Sequence, residues 1–109
     1  MIRKRSKYGN IQTTKNGKVF ASKKQANDHQ DLMLLEKAGE IKNLQHEVEF
    51  PVVVNGIDIC SYFADHVFSE RGKRIAADTK SPATRKNAVW RLKWKLVKAL
   101  YKGWEFREI

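Results

Sequence analysis

The dipeptide Asn55-Gly56 constrains this chain more than any other feature. It separates two runs rich in Val, Ile and aromatic residues, IKNLQHEVEFPVVV (41–54) and IDICSYFADHVF (57–68). A type I′ turn needs positive φ at both central residues, which Asn and Gly tolerate, and its twist matches that of paired strands. The two runs are therefore predicted to form an antiparallel hairpin. A second turn in SERGKR (69–74) leads to a short strand, IAADTK (75–80).

Helices flank this hairpin. Ser22 is a good N-cap, Gln25 stands three residues later as in a capping box, and DLMLLEKAGE stops at Gly39, so the first helix is placed at 22–38. Ser81-Pro82 combines an N-cap with proline at the first helical position. A second helix is expected from Pro82 to about Tyr101, stopped by Gly103, with WEFREI as a last strand. The order helix, three strands, helix, strand predicts an α/β domain with a mixed sheet flanked by helices. Residues 1–20, basic and polar, form a flexible arm or an irregular ribbon, and 21–109 the folded domain.

The chain has 109 residues, with 22 Lys and Arg against 12 Asp and Glu, a formal charge of +10. Such an excess on one small domain points to a polyanionic partner, nucleic acid first. It is also segregated: residues 1–24 carry eight Lys or Arg and no acid, and 84–102 carry seven more and no acid. The single Cys60 excludes an internal disulfide, and His29, His46 and His66 show no paired spacing with it, so no structural zinc is expected. MIRKRSKYGN has no apolar run behind it, and no segment approaches the apolar length of a membrane span. A cytoplasmic protein with no membrane partner is expected.

Against this background Asp65, Asp78 and Lys80 stand out. Strand alternation puts Asp78 and Lys80 on one face. With the second turn at Ser69–Gly72, Phe68 pairs with Lys73, residue 65 lies opposite residue 76, and Asp78 is its diagonal neighbour with Cα atoms about 7–8 Å apart. Two carboxylates that close repel unless a cation intervenes, and Mg²⁺ is commonly held by one or two carboxylates with substrate phosphate. Lys80 could orient a water or neutralise phosphate charge. An acid-x-Lys triplet also arises by chance, as Glu40-Ile41-Lys42 illustrates; the alternative is a strand edge with solvated charges.

FASKKQANDHQDLMLLEKAGEIKNL, YFADHVF and IAADTKS with the Lys-rich helix behind it resemble a small phage-encoded family of the PD-(D/E)XK nuclease superfamily. That family is similar to Holliday-junction resolvases. The resemblance spans about Tyr8 to Glu108. It implies a restriction-endonuclease-like core, Mg²⁺- or Mn²⁺-dependent cleavage of branched or duplex DNA, and a homodimer. Asp65 and Asp78 match its metal-binding acids and Lys80 its motif lysine. Gln25 departs from it, since the family pattern has a Glu there that serves the metal or the water. Asp28, some 60° round the helix from Gln25, or Asp31, some 120° round, are the acids that could substitute. The capping box alone also accounts for Gln25.

On the second helix Arg91, Lys95, Lys98 and Lys102 form one stripe expected to contact phosphate. Arg85 and Lys86 at its start, and Lys23 and Lys24 at the start of the first helix, extend this basic set. Lys93 lies in an apolar arc of Val89, Leu96, Val97 and Leu100, and either snorkels or reaches the scissile phosphate. Trp90, Trp94 and Tyr101 share a neighbouring stripe, read as packing, with a dimer seam or base stacking as the alternatives.

Overall fold

A computed structural model describes residues 22–79 and 81–109, together with the backbone of two short strands, β1 (Thr13–Lys15) and β2 (Lys18–Phe20). These two pair antiparallel, Thr13 with Phe20. The rest of the basic arm lies outside the described residues.

Helix α1 spans Lys23–Lys37. The Ser22 hydroxyl accepts from Gln25 N–H at 3.1 Å, which is one half of the capping box. The Gln25 side chain is buried, and its amide nitrogen has no hydrogen-bond partner. At the far end Gly39 N–H donates to Glu36 O and Glu40 N–H to Leu35 O. This double bond pattern, with φ of 83° at Gly39, is a glycine-specific helix stop.

Strands β3 (Lys42–Val54) and β4 (Ile57–Glu70) form the expected long hairpin. Asn55 and Gly56 both have positive φ, 51° and 77°. Strand β5 (Lys73–Asp78) follows through a turn that differs from expectation. Arg71 and Gly72 both have positive φ, Glu70 pairs with Lys73, and Phe68 pairs with Ile75. A two-residue turn matches strand twist better than the four-residue one, and moves the register by two. Continued beyond His66–Ala77, that register sets Asp65 opposite Asp78 rather than Ala76.

The expected single helix over 82–101 is two. α2 (Pro82–Lys86) ends where Asn87 turns extended, and α3 (Ala88–Leu100) begins there. The Asn87 side chain accepts from Trp90 N–H at 2.8 Å. A side chain that caps a new helix competes with continuation of the old one. Strand β6 (Trp104–Glu108) then pairs parallel with β5, giving a mixed sheet in the order β3-β4-β5-β6.

Each face of the sheet carries its own core. Phe50, Val52, Tyr62, Ala64, Val67 and Ala76 pack with Trp94 and Val97 of α3. Ile41, Phe68, Ile75 and Ala77 pack with Leu32 of α1 on the other face. The buried edge of α3 therefore runs through Trp94 and Val97, with Trp90 and Tyr101 packed against it, as the packing reading of the aromatics requires. The apolar arc expected around Lys93 is half wrong: Val89 and Leu100 are exposed. No described helix is long and apolar enough to cross a membrane.

One irregularity positions the site. Tyr62 and Ala64 face α3, but so does Val67, while Phe68 faces α1 and His66 stacks on His29 of that helix. The alternation of β4 therefore slips by one at Asp65. Across the ladder Glu47 has φ of 53°, and β3 slips with it, so His46 still pairs with His66 and Val48 with Ala64. A one-residue slip exchanges the faces of everything beyond it.

Candidate functional site

Asp65 and Asp78 share the α3 face at the end of the sheet, with Val67 and Ala76 one step further in. Asp78 is 4% exposed and Asp65 half-buried. Burying a carboxylate is costly unless it is hydrogen-bonded, and each has donors. Trp90 Nε1–H donates to Asp78 Oδ2 at 2.7 Å, and Thr79 N–H donates to Asp65 Oδ2 at 2.8 Å. Asp65 N–H lies 3.4 Å from Asp78 Oδ1, a weak bond that ties the two acids. Tyr62 stands beside them. Burial, and after it the charges of Asp78 and Asp65, push its hydroxyl far above the ordinary tyrosine range, so it stays protonated.

Trp90→Phe keeps most of the ring and removes one donor from the buried Asp78. A hydrogen bond to a charged group is worth about 1.5–3 kcal/mol. Chemical denaturation should show a loss of that order. An equal loss in an Asp78→Ala background, which has no side-chain acceptor for Trp90, would show that the bond is not what was removed.

Asp28 also reaches this end of the sheet. Its Oδ2 accepts from Thr79 Oγ1–H at 3.1 Å and from Lys24 Nζ at 2.9 Å. Asp31 is exposed on α1, so of the two acids only Asp28 touches the strand end. Gln25 is 4% exposed and faces the sheet. Lys80 lies outside the described residues.

The basic residues separate into groups. Arg85, Arg91, Lys95 and Lys98 line one open cleft of about 610 Å³ with Trp90, Trp94 and Glu108. Arg91 also donates to Arg85 O and Lys86 O, closing the carbonyl end of α2, and Lys98 lies 5.1 Å from the Trp94 ring centroid. Lys93 goes elsewhere. Its Nζ donates to Ser61 O of β4 at 2.9 Å. Lys86 and Lys23 are exposed, and Lys24 is held by Asp28 and Ile109 O.

The spacing of the histidines along the chain predicts no metal site, yet the structure brings all three together without Cys60. His29 of α1, His46 of β3 and His66 of β4 offer nitrogens within 4.8 Å of one another. His29 and His66 stack at 5.4 Å between ring centroids. Spacing rules find ligands that share one turn or helix, and these come from three elements. The His66 imidazole is pushed down to about 3, by burial first and then by its neighbours His29, His46 and Lys24, next to which a further positive charge is unfavourable. It is neutral at physiological pH.

No family model matches the chain, and neither does any curated protein or solved structure. The site geometry is what bears on function.

Proposed function

We propose that this chain is a metal-dependent endodeoxyribonuclease with a restriction-endonuclease-like core, acting on branched DNA such as Holliday junctions. The observation that carries the reading is the pair Asp65 and Asp78 on one sheet face, next to a cleft lined by Arg85, Arg91, Lys95 and Lys98. The donor set suits a hard divalent cation, since a carboxylate oxygen is a hard ligand with more than one lone pair. Mg²⁺ or Mn²⁺ held by Asp65 and Asp78 would supply Lewis-acid polarisation of the phosphodiester.

The chain's own groups do the rest. Trp90 and Thr79 hold the two carboxylates in place without neutralising them. The cleft cations bind the DNA backbone and set where the strand lies relative to Asp78. Lys80, by its place in the motif, neutralises charge on the phosphate. A homodimer fits this reading, because a junction is cut symmetrically on two strands. The open face of the hairpin, with Ile59 and Phe63 exposed, offers an apolar surface for one.

A second reading belongs to the same fold: a DNA-binding module with impaired catalysis. The neutral, buried Gln25 favours it, since the resemblance calls for a carboxylate there. Incubating the protein with a four-way junction and with linear duplex, in Mg²⁺ and in Mn²⁺, separates the two. Nicking of the junction supports the enzyme, whereas binding without nicking in either metal supports the module.

Both readings require backbone contact through the cleft. Removing two phosphate contacts should flatten the dependence of log K on log salt by about 2 units, roughly 0.9 per contact. Lys95→Gln with Lys98→Gln is expected to do this, measured by fluorescence anisotropy on labelled duplex. An unchanged slope would place the DNA on another face.

A further inference from the structure

We propose that His29, His46 and His66 form a second metal site, for a zinc-class transition-metal ion, on the sheet face opposite Asp65 and Asp78. It does not rest on the nuclease reading. Buried histidines are usually satisfied by hydrogen bonds to the fold, and here those bonds leave nitrogens pointing at one another. His46 Nδ1 lies 3.1 Å from Asp65 O. A carbonyl can only accept, so Nδ1 carries the proton and Nε2 keeps its lone pair. Thr79 Oγ1–H donates to Asp28 Oδ2, which leaves Thr79 Oγ1 to accept from His66 Nε2–H at 3.3 Å. The lone pair of His66 is then on Nδ1.

That Nδ1 lies 3.4 Å from Nδ1 of His29. The separation is long for a hydrogen bond. It equals the edge of a tetrahedral zinc site, since Zn–N bonds of about 2.0–2.1 Å set nitrogens about 3.3–3.4 Å apart. His46, whose ligand nitrogen is within 4.8 Å of the other two, closes the third corner by a small ring rotation. His29 contributes its Nδ1 lone pair once the proton resides on Nε2.

The donor set chooses the metal. Three imidazoles without a carboxylate suit Zn²⁺, Co²⁺ or Ni²⁺ and not Mg²⁺ or Mn²⁺, which take oxygen ligands. The surroundings also fit: the Asp65 carbonyl orients His46, and Asp28 acts on His66 through Thr79, the outer-shell pattern that fixes metal-binding histidines. Gln25 lies one turn before His29 on the same buried face, with an amide nitrogen that has no acceptor. A water in the fourth position would supply one. His29 is 3% exposed and His66 0%, so the site is closed to a macromolecular substrate. Its role is structural, clamping α1 to β3 and β4 behind the carboxylate pair.

The test uses the full chain without an affinity tag, stripped with chelator and titrated with Zn²⁺ and with Co²⁺ in the absence of DNA. One equivalent should bind, Co²⁺ should develop the intense visible bands of four-coordinate geometry, and a large excess of Mg²⁺ should not compete. His46→Leu should weaken binding at least ~100-fold. Thr79→Val, which keeps shape and removes only the hydroxyl behind His66, should weaken it about tenfold. No stoichiometric binding overturns the proposal, and so does Zn²⁺ affinity unchanged in folded Thr79→Val and His46→Leu. Nicking is read separately in Mg²⁺, so either assignment can fail without the other.

Discussion

Asp78→Asn should reduce Mg²⁺-dependent nicking of a four-way junction at least ~100-fold, the scale of losing one preorganised electrostatic group at a reacting centre. Asn has the same shape and its oxygen can still accept from Trp90 Nε1–H, so the packing around this 4% exposed position survives. What is lost is the negative charge that would hold a divalent cation beside Asp65. DNA binding measured by anisotropy should stay within a few-fold of the parent, because the cleft cations on α3 are untouched. Nicking at the parental rate would mean that Asp78 is a structural carboxylate, and the enzyme reading would fail. Gln25→Glu supplies the complementary arm. If α1 contributes to the site, an acid at this position should raise nicking above the parent, and the gain should vanish in the Asp78→Asn background.

Ile75→Ala should be the most destabilising of the conservative truncations. Ile75 is 0% exposed, paired with Phe68 on one side and Glu105 on the other, and packed with Leu32 of α1. Truncating a buried Ile typically costs about 2–5 kcal/mol, the removed methyl groups and the cavity together. For a domain with about 5–15 kcal/mol of total stability that is a large share, and the melting temperature should fall by about 10 °C or more. Ile59→Ala on the 55% exposed hairpin face is the control, expected within about 0.5 kcal/mol of the parent. Equal losses at the two positions would mean that the core is not where the sheet faces place it. Ile75 also matters to the site, because it seats the helix bearing Asp28 against the strand bearing Asp78.

Much of the fold was legible locally. Asn55-Gly56, the Ser22 cap, the Gly39 stop and Ser81-Pro82 each act through residues within a few positions, and each appears where the sequence places it. The Arg71-Gly72 turn was harder to read, because arginine with positive φ gives no composition signal. That misplaced the register by two residues. It nevertheless left Asp65 and Asp78 on one face, since a shift of two preserves the parity of strand alternation. The helix break at Asn87 is hidden for a related reason: an asparagine within a helical pattern is usually tolerated, and its role as a cap depends on where α3 must point.

Most of the elements, the Ser22 and Ser81 caps, the Asn55-Gly56 turn and the segregation of basic residues can be read along the chain, because these rest on short-range sterics, hydrogen bonding and composition. Which polar residues meet depends on the packed fold. The matched slip at Glu47 and Asp65 turns His46 and His66 toward α1, where His66 meets His29, 37 residues away along the chain. No local periodicity encodes that meeting, because it depends on how two strands and a helix settle their packing together.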